Sequence, residues 1–344
     1  METTRPAKVN RAPVVGITIG NAAGIGPEIV LKSLVKMTGN SFTPVIIGDL
    51  RFLNEMNERF GTGLRLVKFA EKEPEIGAIL VVDLDNLDGP IEIGKESAVA
   101  GRASGQYIVR AVAMWNEGQL DAIATAPISK RSLAMGGYDF PGHTEFLAAL
   151  TDTERFAMSF FADDLRVVLM STHVSLARAI ELVTTERLID LILFTNESLS
   201  KLLGRKVRVA VAGLNPHASE NGMFGREEAD IMEPAIAEAV RRGIDASGPY
   251  APDTIFLRGF KGEFDAVVAC YHDQATIAVK SLSFGSAVNV TLGLPLIRTS
   301  VDHGTAFDIA GKGIADESSM CAAIRLAAEL SLGADRSSEV AGDA

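Results

Sequence analysis

The stretch Val14-Val15-Gly16-Ile17-Thr18-Ile19-Gly20-Asn21-Ala22-Ala23-Gly24-Ile25-Gly26-Pro27-Glu28 decides the class of fold. Its first six residues are apolar or β-branched except Gly16, and they run into a Gly-rich turn, as a buried strand does. Pro27 then opens a helix, because its missing N–H is one the first turn leaves unpaired anyway. Over Glu28–Met37 the residues Ile29, Val30, Leu34 and Val35 recur at helical spacing. A strand that passes through a tight turn into a helix is the first half of a βαβ unit.

Outward from this stretch the pattern repeats. Val14–Ile19, Pro44–Ile47, Ala78–Val82, Ala122–Thr125, Val167–Met170, Val207–Val211, Ala266–Cys270 and Ala287–Thr291 read as short strands. Thr185–Leu203 and Glu227–Arg241 read as further helices. Alternation of this kind predicts an α/β fold with a largely parallel sheet. The chain has 344 residues, and at roughly 150 residues per domain this implies about two domains. There is no repeat, low-complexity block or Pro/Gly linker, so two domains would share interrupted segments of chain.

Composition excludes several classes. There are 33 Lys and Arg against 44 Asp and Glu, a formal charge of −11. So acidic a chain is unsuited to nucleic acid or an anionic membrane, both of which need a basic face. The apolar fraction of 47% is ample for a core. Two cysteines, Cys270 and Cys321, rule out a disulfide scaffold and fit a reducing cytoplasm. Met1–Pro13 is polar and basic with no apolar stretch behind it, so no export signal is expected. Runs such as Ile79–Val82 are far too short to span a bilayer.

Parallel sheets place ligands at the carboxyl ends of their strands, so chemistry is sought there. The turn Gly20–Glu28 has the form of an anion-holding loop, yet it lacks the third Gly of a dinucleotide fingerprint and the Gly-Lys-Ser/Thr of a P-loop; a tight structural turn explains it equally. Thr125-Ala126-Pro127-Ile128-Ser129-Lys130 and Pro141-Gly142-His143-Thr144-Glu145 lie past strand ends and mix polar groups with turn formers. His173, His217 and His272 each follow a strand closely, and in a parallel sheet their imidazoles would share one edge. Three neutral imidazoles with an open fourth position suit Zn²⁺ or another divalent ion, though three separate loop histidines fit the spacing as well. Lys280, Asn289 and Arg298 are polar groups among apolar neighbours, suited together to a clamp on phosphate or carboxylate, or singly to snorkelling side chains or sheet-edge residues. Asp302-His303-Gly304-Thr305-Ala306-Phe307-Asp308 is a further Gly-containing loop, and its pattern alone does not distinguish a nucleotide contact from a turn.

Seven strings carry a resemblance over about Val14 to Ala315. They are Gly24-Ile25-Gly26-Pro27-Glu28, Gly142-His143-Thr144-Glu145, Thr172-His173, Leu214-Asn215-Pro216-His217, Ala251-Pro252-Asp253-Thr254, Tyr271-His272-Asp273-Gln274, and the run from Asn289 through Pro295 and Arg298 to Ala306. In this order the chain resembles the 4-hydroxythreonine-4-phosphate dehydrogenase family of vitamin B6 synthesis, especially its branch acting on four-carbon sugar-acid phosphates such as D-erythronate or D-threonate 4-phosphate. It departs from the family at Asn21 and Ala22, where an acidic residue and a proline are usual.

The resemblance implies an isocitrate/isopropylmalate dehydrogenase-like fold of two α/β domains with a cleft between them. One would comprise residues 1–125 with about 290–344 and carry the cofactor loop. The other, about 126–289, would carry the metal ligands and the dimer interface. It implies a homodimer whose site is completed across the interface. His173, His217 and His272 match the divalent-metal ligands (Zn, Mg, Mn or Co). His143, Thr144, Lys280, Asn289 and Arg298 match substrate-binding positions, and Gly304, Thr305, Ala306 and Asp308 match a loop for NAD. Lys280 and Asp273 are the candidates for proton transfer and support of the metal site. The implied reaction is NAD-dependent, metal-assisted oxidation of a phosphorylated hydroxy acid, with decarboxylation. Alternatives are 4-hydroxythreonine-4-phosphate or an aromatic dihydrodiol as substrate, a metal-dependent lyase or acyl transferase without nicotinamide, and a sensor that binds without turnover.

Overall fold

A computed structural model describes residues 11–340 except 38, 40, 70–76 and 284. The chain start, discussed above for its lack of an apolar stretch, lies largely outside the described residues. In chain order the elements are β1 (Val14–Thr18), α1 (Gly26–Lys36), β2 (Thr43–Gly48), α2 (Leu50–Phe60), β3 (Arg65–Lys68), β4 (Ala78–Asp83), α3 (Ala98–Asn116), β5 (Ala122–Thr125), α4 (Lys130–Met135) and α5 (His143–Leu150). There follow β6 (Ala157–Ala162), β7 (Leu165–Leu169), α6 (Leu176–Glu181), α7 (Thr185–Leu203), β8 (Val209–Ala212), α8 (Glu233–Arg241), β9 (Ala246–Tyr250), α9 (Pro252–Phe260), β10 (Ala266–Ala269), α10 (His272–Leu282) and β11 (Val288–Leu292). The last two are β12 (Ile297–Ser300) and α11 (Ser318–Val340).

The chain divides into two compact units, residues 1–154 with 294–335 and residues 155–293 with 336–344. In the first the strand order is β3-β4-β2-β1-β5-β12, every neighbouring pair parallel. Val15, Ile17, Val45, Ile46 and Ile47 are fully buried, as expected of strands covered by helices on both faces. In the second the order is β11-β6-β7-β10-β8-β9. There β11, β6 and β7 pair antiparallel, and β7, β10, β8 and β9 pair parallel. Its core gathers Phe160, Leu165, Val167, Leu169, Ile255, Phe256 and Val267. No helix among the described residues is long and apolar enough to cross a membrane.

The expected α/β class is observed, and the eight expected strands all occur within a few residues of their expected limits. Residues 126–154, expected with the second domain, lie in the first unit, and the end of α11 from Arg336, expected with the first, lies in the second. Packing explains the first of these differences. Gly101 on α3 meets the Ser132 carbonyl of α4 so closely that a Cβ there would lie 1.6 Å from it. Phe146 and Leu147 of α5 belong to the core built on β1, β2 and α3. The helix expected over Glu227–Arg241 splits into a π-turn, Glu228–Met232, and α8. Pro234, in the first turn of α8, cannot donate the i→i−4 bond that would continue an α-helix through this point.

Candidate functional site

In the second unit β7, β10 and β8 are adjacent and parallel, so their carboxyl ends share an edge. His173 follows β7, His272 opens α10 after β10, and His217 follows β8. The rings of His173 and His272 come together, with centroids 5.8 Å apart and planes tilted by 44°. They line a cavity of about 220 Å³ with Thr172, Val174, Leu176, Ala179, Tyr271 and Asp273. His272 Nδ1 lies 2.7 Å from Asp273 Oδ1. An Nδ1–H donated to that carboxylate leaves the Nε2 lone pair as the ligand atom, the arrangement that orients metal-binding histidines.

His217 is not brought to this pair. Its ring packs against Phe224 at 6.2 Å, and among the described residues no three His, Cys, Asp or Glu side chains form a metal-holding group. The loop that carries it has an unusual backbone. Residues 217–221 are five consecutive non-glycines with positive φ, 52°, 49°, 73°, 45° and 56°. Left-handed backbone costs roughly 1–2 kcal/mol per residue, so such a turn persists only when its surroundings hold it. The donors therefore fit a divalent ion in part: two imidazoles converge, and a third stands on the neighbouring strand's loop.

Buried hydrogen bonds tie the three loops to one another. Ser171 Oγ donates to the Cys270 carbonyl at 3.1 Å. The Cys270 N–H donates to Gln274 Oε1 and Gln274 Nε2 donates to the Gly213 carbonyl, both at 2.8 Å. Cys270 Sγ lies 3.4 Å from the Ala212 carbonyl, and burial pushes its thiol up to about 12, so it is no nucleophile. Asn289 is half-buried on β11, opposite Phe160. Lys280 is exposed in the last turn of α10, about 12 Å along the helix from His272 at 1.5 Å per residue. Neither lines the cavity of the histidine pair.

In the first unit β1, β5 and β12 are adjacent and parallel, and their loops gather a second polar group. Arg298 on β12 is buried, and its Nε and Nη2 donate to Thr125 Oγ1 at 3.2 and 3.0 Å. Burial pushes its guanidinium down to about 9, a drop the Glu145 carboxylate partly offsets. His143 opens α5, and its buried Nε2 has no hydrogen-bond partner. Burial, and then the Arg298 charge, hold its imidazole well below the usual histidine range, so it is neutral at pH 7. Thr144 is buried beside it in sequence. His143, Glu145 and Arg298 thus interact electrostatically across α5 and β12, and Glu145 is the member that sequence reasoning did not single out.

Backbone hydrogen bonds tie Gly20–Glu28 into the fold. Ile25 N–H donates to the Thr305 carbonyl at 3.0 Å, and Asn21 N–H to the Pro127 carbonyl at 2.9 Å. A Cβ on Gly26 would sit 2.2 Å from the Ile19 carbonyl. The helix start holds a carboxylate of its own, because buried Glu28 accepts from Lys32 Nζ and from Ala315 N–H, both at 2.8 Å. The stretch is a packed structural turn, and Glu28 occupies the electrostatic place an anion would take. The loop after β12 is more open. Nothing stands within 4 Å of a Cβ on Gly304, Ala306 has φ 41°, and Asp308 is exposed. His303 is exposed too, with Nδ1 3.1 Å from the Gly304 carbonyl.

The model of the family described as pyridoxal phosphate biosynthetic protein PdxA matches residues 40–327. The chain belongs to the PdxA family. It is 46% identical to the D-threonate 4-phosphate dehydrogenase of Cupriavidus necator, over 92% of this chain and 97% of that one. The solved 4-hydroxythreonine-4-phosphate dehydrogenase of Klebsiella pneumoniae is 40% identical with a TM-score of 0.86, over 93% of this chain and 100% of that one. The terephthalate 1,2-cis-dihydrodiol dehydrogenase of Burkholderia xenovorans is 30% identical with a TM-score of 0.62, over 92% and 98%. These relatives are named as dehydrogenases, and the chain is an oxidoreductase acting on a hydroxyl group.

Proposed function

We propose that this PdxA-family protein is an NAD-dependent, divalent-metal-dependent dehydrogenase that oxidises and decarboxylates a four-carbon phosphorylated hydroxy acid, D-threonate 4-phosphate first among them. The observation that carries the metal part is the His173–His272 pair at the ends of β7 and β10, with Asp273 on the Nδ1 of His272. Identity supports the substrate: 46% to a D-threonate 4-phosphate dehydrogenase against 30% to a dihydrodiol dehydrogenase. D-Erythronate 4-phosphate and 4-hydroxythreonine-4-phosphate are the nearest alternatives in chemistry.

A divalent ion at the histidines supplies Lewis acidity towards the reacting hydroxyl, and NAD supplies the two-electron acceptor. His173, His217 and His272 hold the ion. Asp273 keeps His272 in the tautomer that presents Nε2. Arg298, His143, Thr144, Lys280 and Asn289 bind the substrate's phosphate and carboxylate. The buried guanidinium of Arg298, depressed by desolvation, gains from an anion brought to it. Neutral His143 offers an unengaged Nε2 for a hydrogen bond rather than a second charge. Lys280 would take the hydroxyl proton, and NAD, when bound, would supply the acceptor for the hydride of the same carbon. Oxidation at the carbon β to the carboxylate would leave a β-keto acid; its carboxyl–Cα bond then breaks to release CO₂, the electron pair passes into the ketone as an enolate, and the enolate takes a proton at Cα. Gly304, Thr305, Ala306 and Asp308 contact the nucleotide, with Asp308 free to accept from a ribose hydroxyl.

The protein acts in the cytoplasm as a homodimer. Leu176, Ile277 and Val174 are 58%, 66% and 44% exposed on segments that bear the histidine pair, an apolar surface suited to a second copy. The test is a panel of D-threonate, D-erythronate and 4-hydroxythreonine 4-phosphates and a cis-dihydrodiol, each with NAD or NADP and with Mg²⁺, Mn²⁺, Co²⁺ or Zn²⁺. NADH and CO₂ formed fastest from D-threonate 4-phosphate is the expected result. Absence of NADH with every four-carbon phosphate sinks the reading, and faster turnover of the dihydrodiol replaces the substrate.

A further inference from the structure

We propose that Glu228 is the positioning residue for His217, and so sets the third ligand of the metal site. The inference rests on the metal reading above and goes beyond it to a residue in a different element. Glu228 opens the π-turn and is 2% exposed. Its Oε1 accepts from the backbone N–H of Leu214 at 2.8 Å and of Asn215 at 2.7 Å. Its Oε2 accepts from Asn215 Nδ2 at 2.9 Å. Three bonds from one buried carboxylate thus grip the two residues that lead through Pro216 into His217.

What they grip is the entry to the left-handed turn of residues 217–221, which is strained and needs outside support. The support comes from both sides. Gln274, on the helix that begins with His272, holds the Gly213 carbonyl, and Glu228 holds the next two N–H groups. Asn215 Nδ2 also donates to Glu227 Oε2 at 2.7 Å. Gly225, at φ 138°, leaves room for this contact, because a Cβ would stand 2.5 Å from that oxygen and 2.7 Å from the amide nitrogen. Widened helical turns recur at functional sites, and here the π-turn aims an acid at a loop that bears a ligand. Glu228 touches no substrate in this scheme. It acts through His217, as residues behind a metal ligand do.

The test is Co²⁺ binding to the full-length protein, followed by visible absorption, in wild type, Glu228→Ala, Glu228→Gln, His217→Ala and the Glu228→Ala/His217→Ala double variant. Circular dichroism and thermal melting check each fold. Glu228→Ala is expected to weaken Co²⁺ binding about 10- to 100-fold. Glu228→Gln weakens it less, since its amide oxygen still accepts from Leu214 and Asn215. The double variant binds no more weakly than His217→Ala alone, a non-additivity that general destabilisation would not produce. Wild-type affinity in folded Glu228→Ala, or losses that multiply in the double variant, overturns the role of Glu228 while leaving the metal site standing. If Glu228→Ala does not fold, wild-type affinity in Glu228→Gln overturns it instead. A wild-type protein that takes up no Co²⁺ overturns the metal reading itself, and this inference with it.

Discussion

His143 is a neutral imidazole with an unengaged, buried Nε2, held so by burial and by the charge of Arg298. Its pKa is lower in the folded than in the unfolded chain, so below about pH 6.5 the unfolded state takes up a proton that the folded state refuses. The His143 contribution is therefore neutral above that pH and increasingly destabilising as pH falls below it. Carbon-13 NMR of labelled histidine, with His143 assigned by its absence from His143→Gln, should show that imidazole still neutral at the usual histidine pKa. A His143 signal that titrates at the ordinary histidine value would falsify the assignment. Local pattern placed His143 and Arg298 in separate motifs, and only the family resemblance matched both to substrate-binding positions. Neither showed that Arg298 depresses the His143 imidazole or that Glu145 acts on Arg298.

At the scale of elements, α3 and α4 meet through Gly101, with no room for a side chain against the Ser132 carbonyl. Gly101→Ala should lower stability by about 2–3 kcal/mol, since the helices must part to admit a methyl group. Urea unfolding measures it; a midpoint equal to wild type would mean that the two helices already have slack. Which elements were legible follows from their chemistry. Strands covered on both faces, such as β1 and β2, declare themselves as runs of Val and Ile. Four strands were missed. β3, Arg65-Leu66-Val67-Lys68, is a sheet edge with charged ends. β6, Ala157-Met158-Ser159-Phe160-Phe161-Ala162, contains no β-branched residue. β9 contains Gly248 and Pro249, which read as turn formers. β12 is only four residues long, and its central Arg298 breaks the apolar run that marks a buried strand.

Over the whole molecule the formal charge is −11, so an anionic substrate must be drawn by local groups against the general field. In the proposed scheme Arg298, Lys280 and the metal ion are those groups. Raising ionic strength should therefore raise KM little, because long-range attraction is not what captures the substrate. The proposed dimer is checked by sedimentation velocity, with twice the chain mass expected. Ile277→Glu, on an exposed apolar position of α10, should shift the protein towards the monomer. A wild-type monomer at micromolar concentration, or no shift in Ile277→Glu, would remove the apolar surface beside the histidines as the contact.

By itself the sequence determined the α/β class, because alternation of buried strands and amphipathic helices is written in local periodicity. It also determined the family, through short strings whose order survives along nearly the whole chain. It brought out His173, His217 and His272 as strand-end residues. Only the tertiary structure decided that two of them converge while the third stands on a left-handed turn, and that the Gly-rich start of α1 is packing around Glu28. The same holds for Glu228, one of two adjacent acids with nothing in sequence to tell them apart. The physical reason is common to all three. Periodicity reports which face of an element is buried, whereas convergence, strain and the partner of a buried charge depend on residues far away in sequence that meet only when the sheet forms.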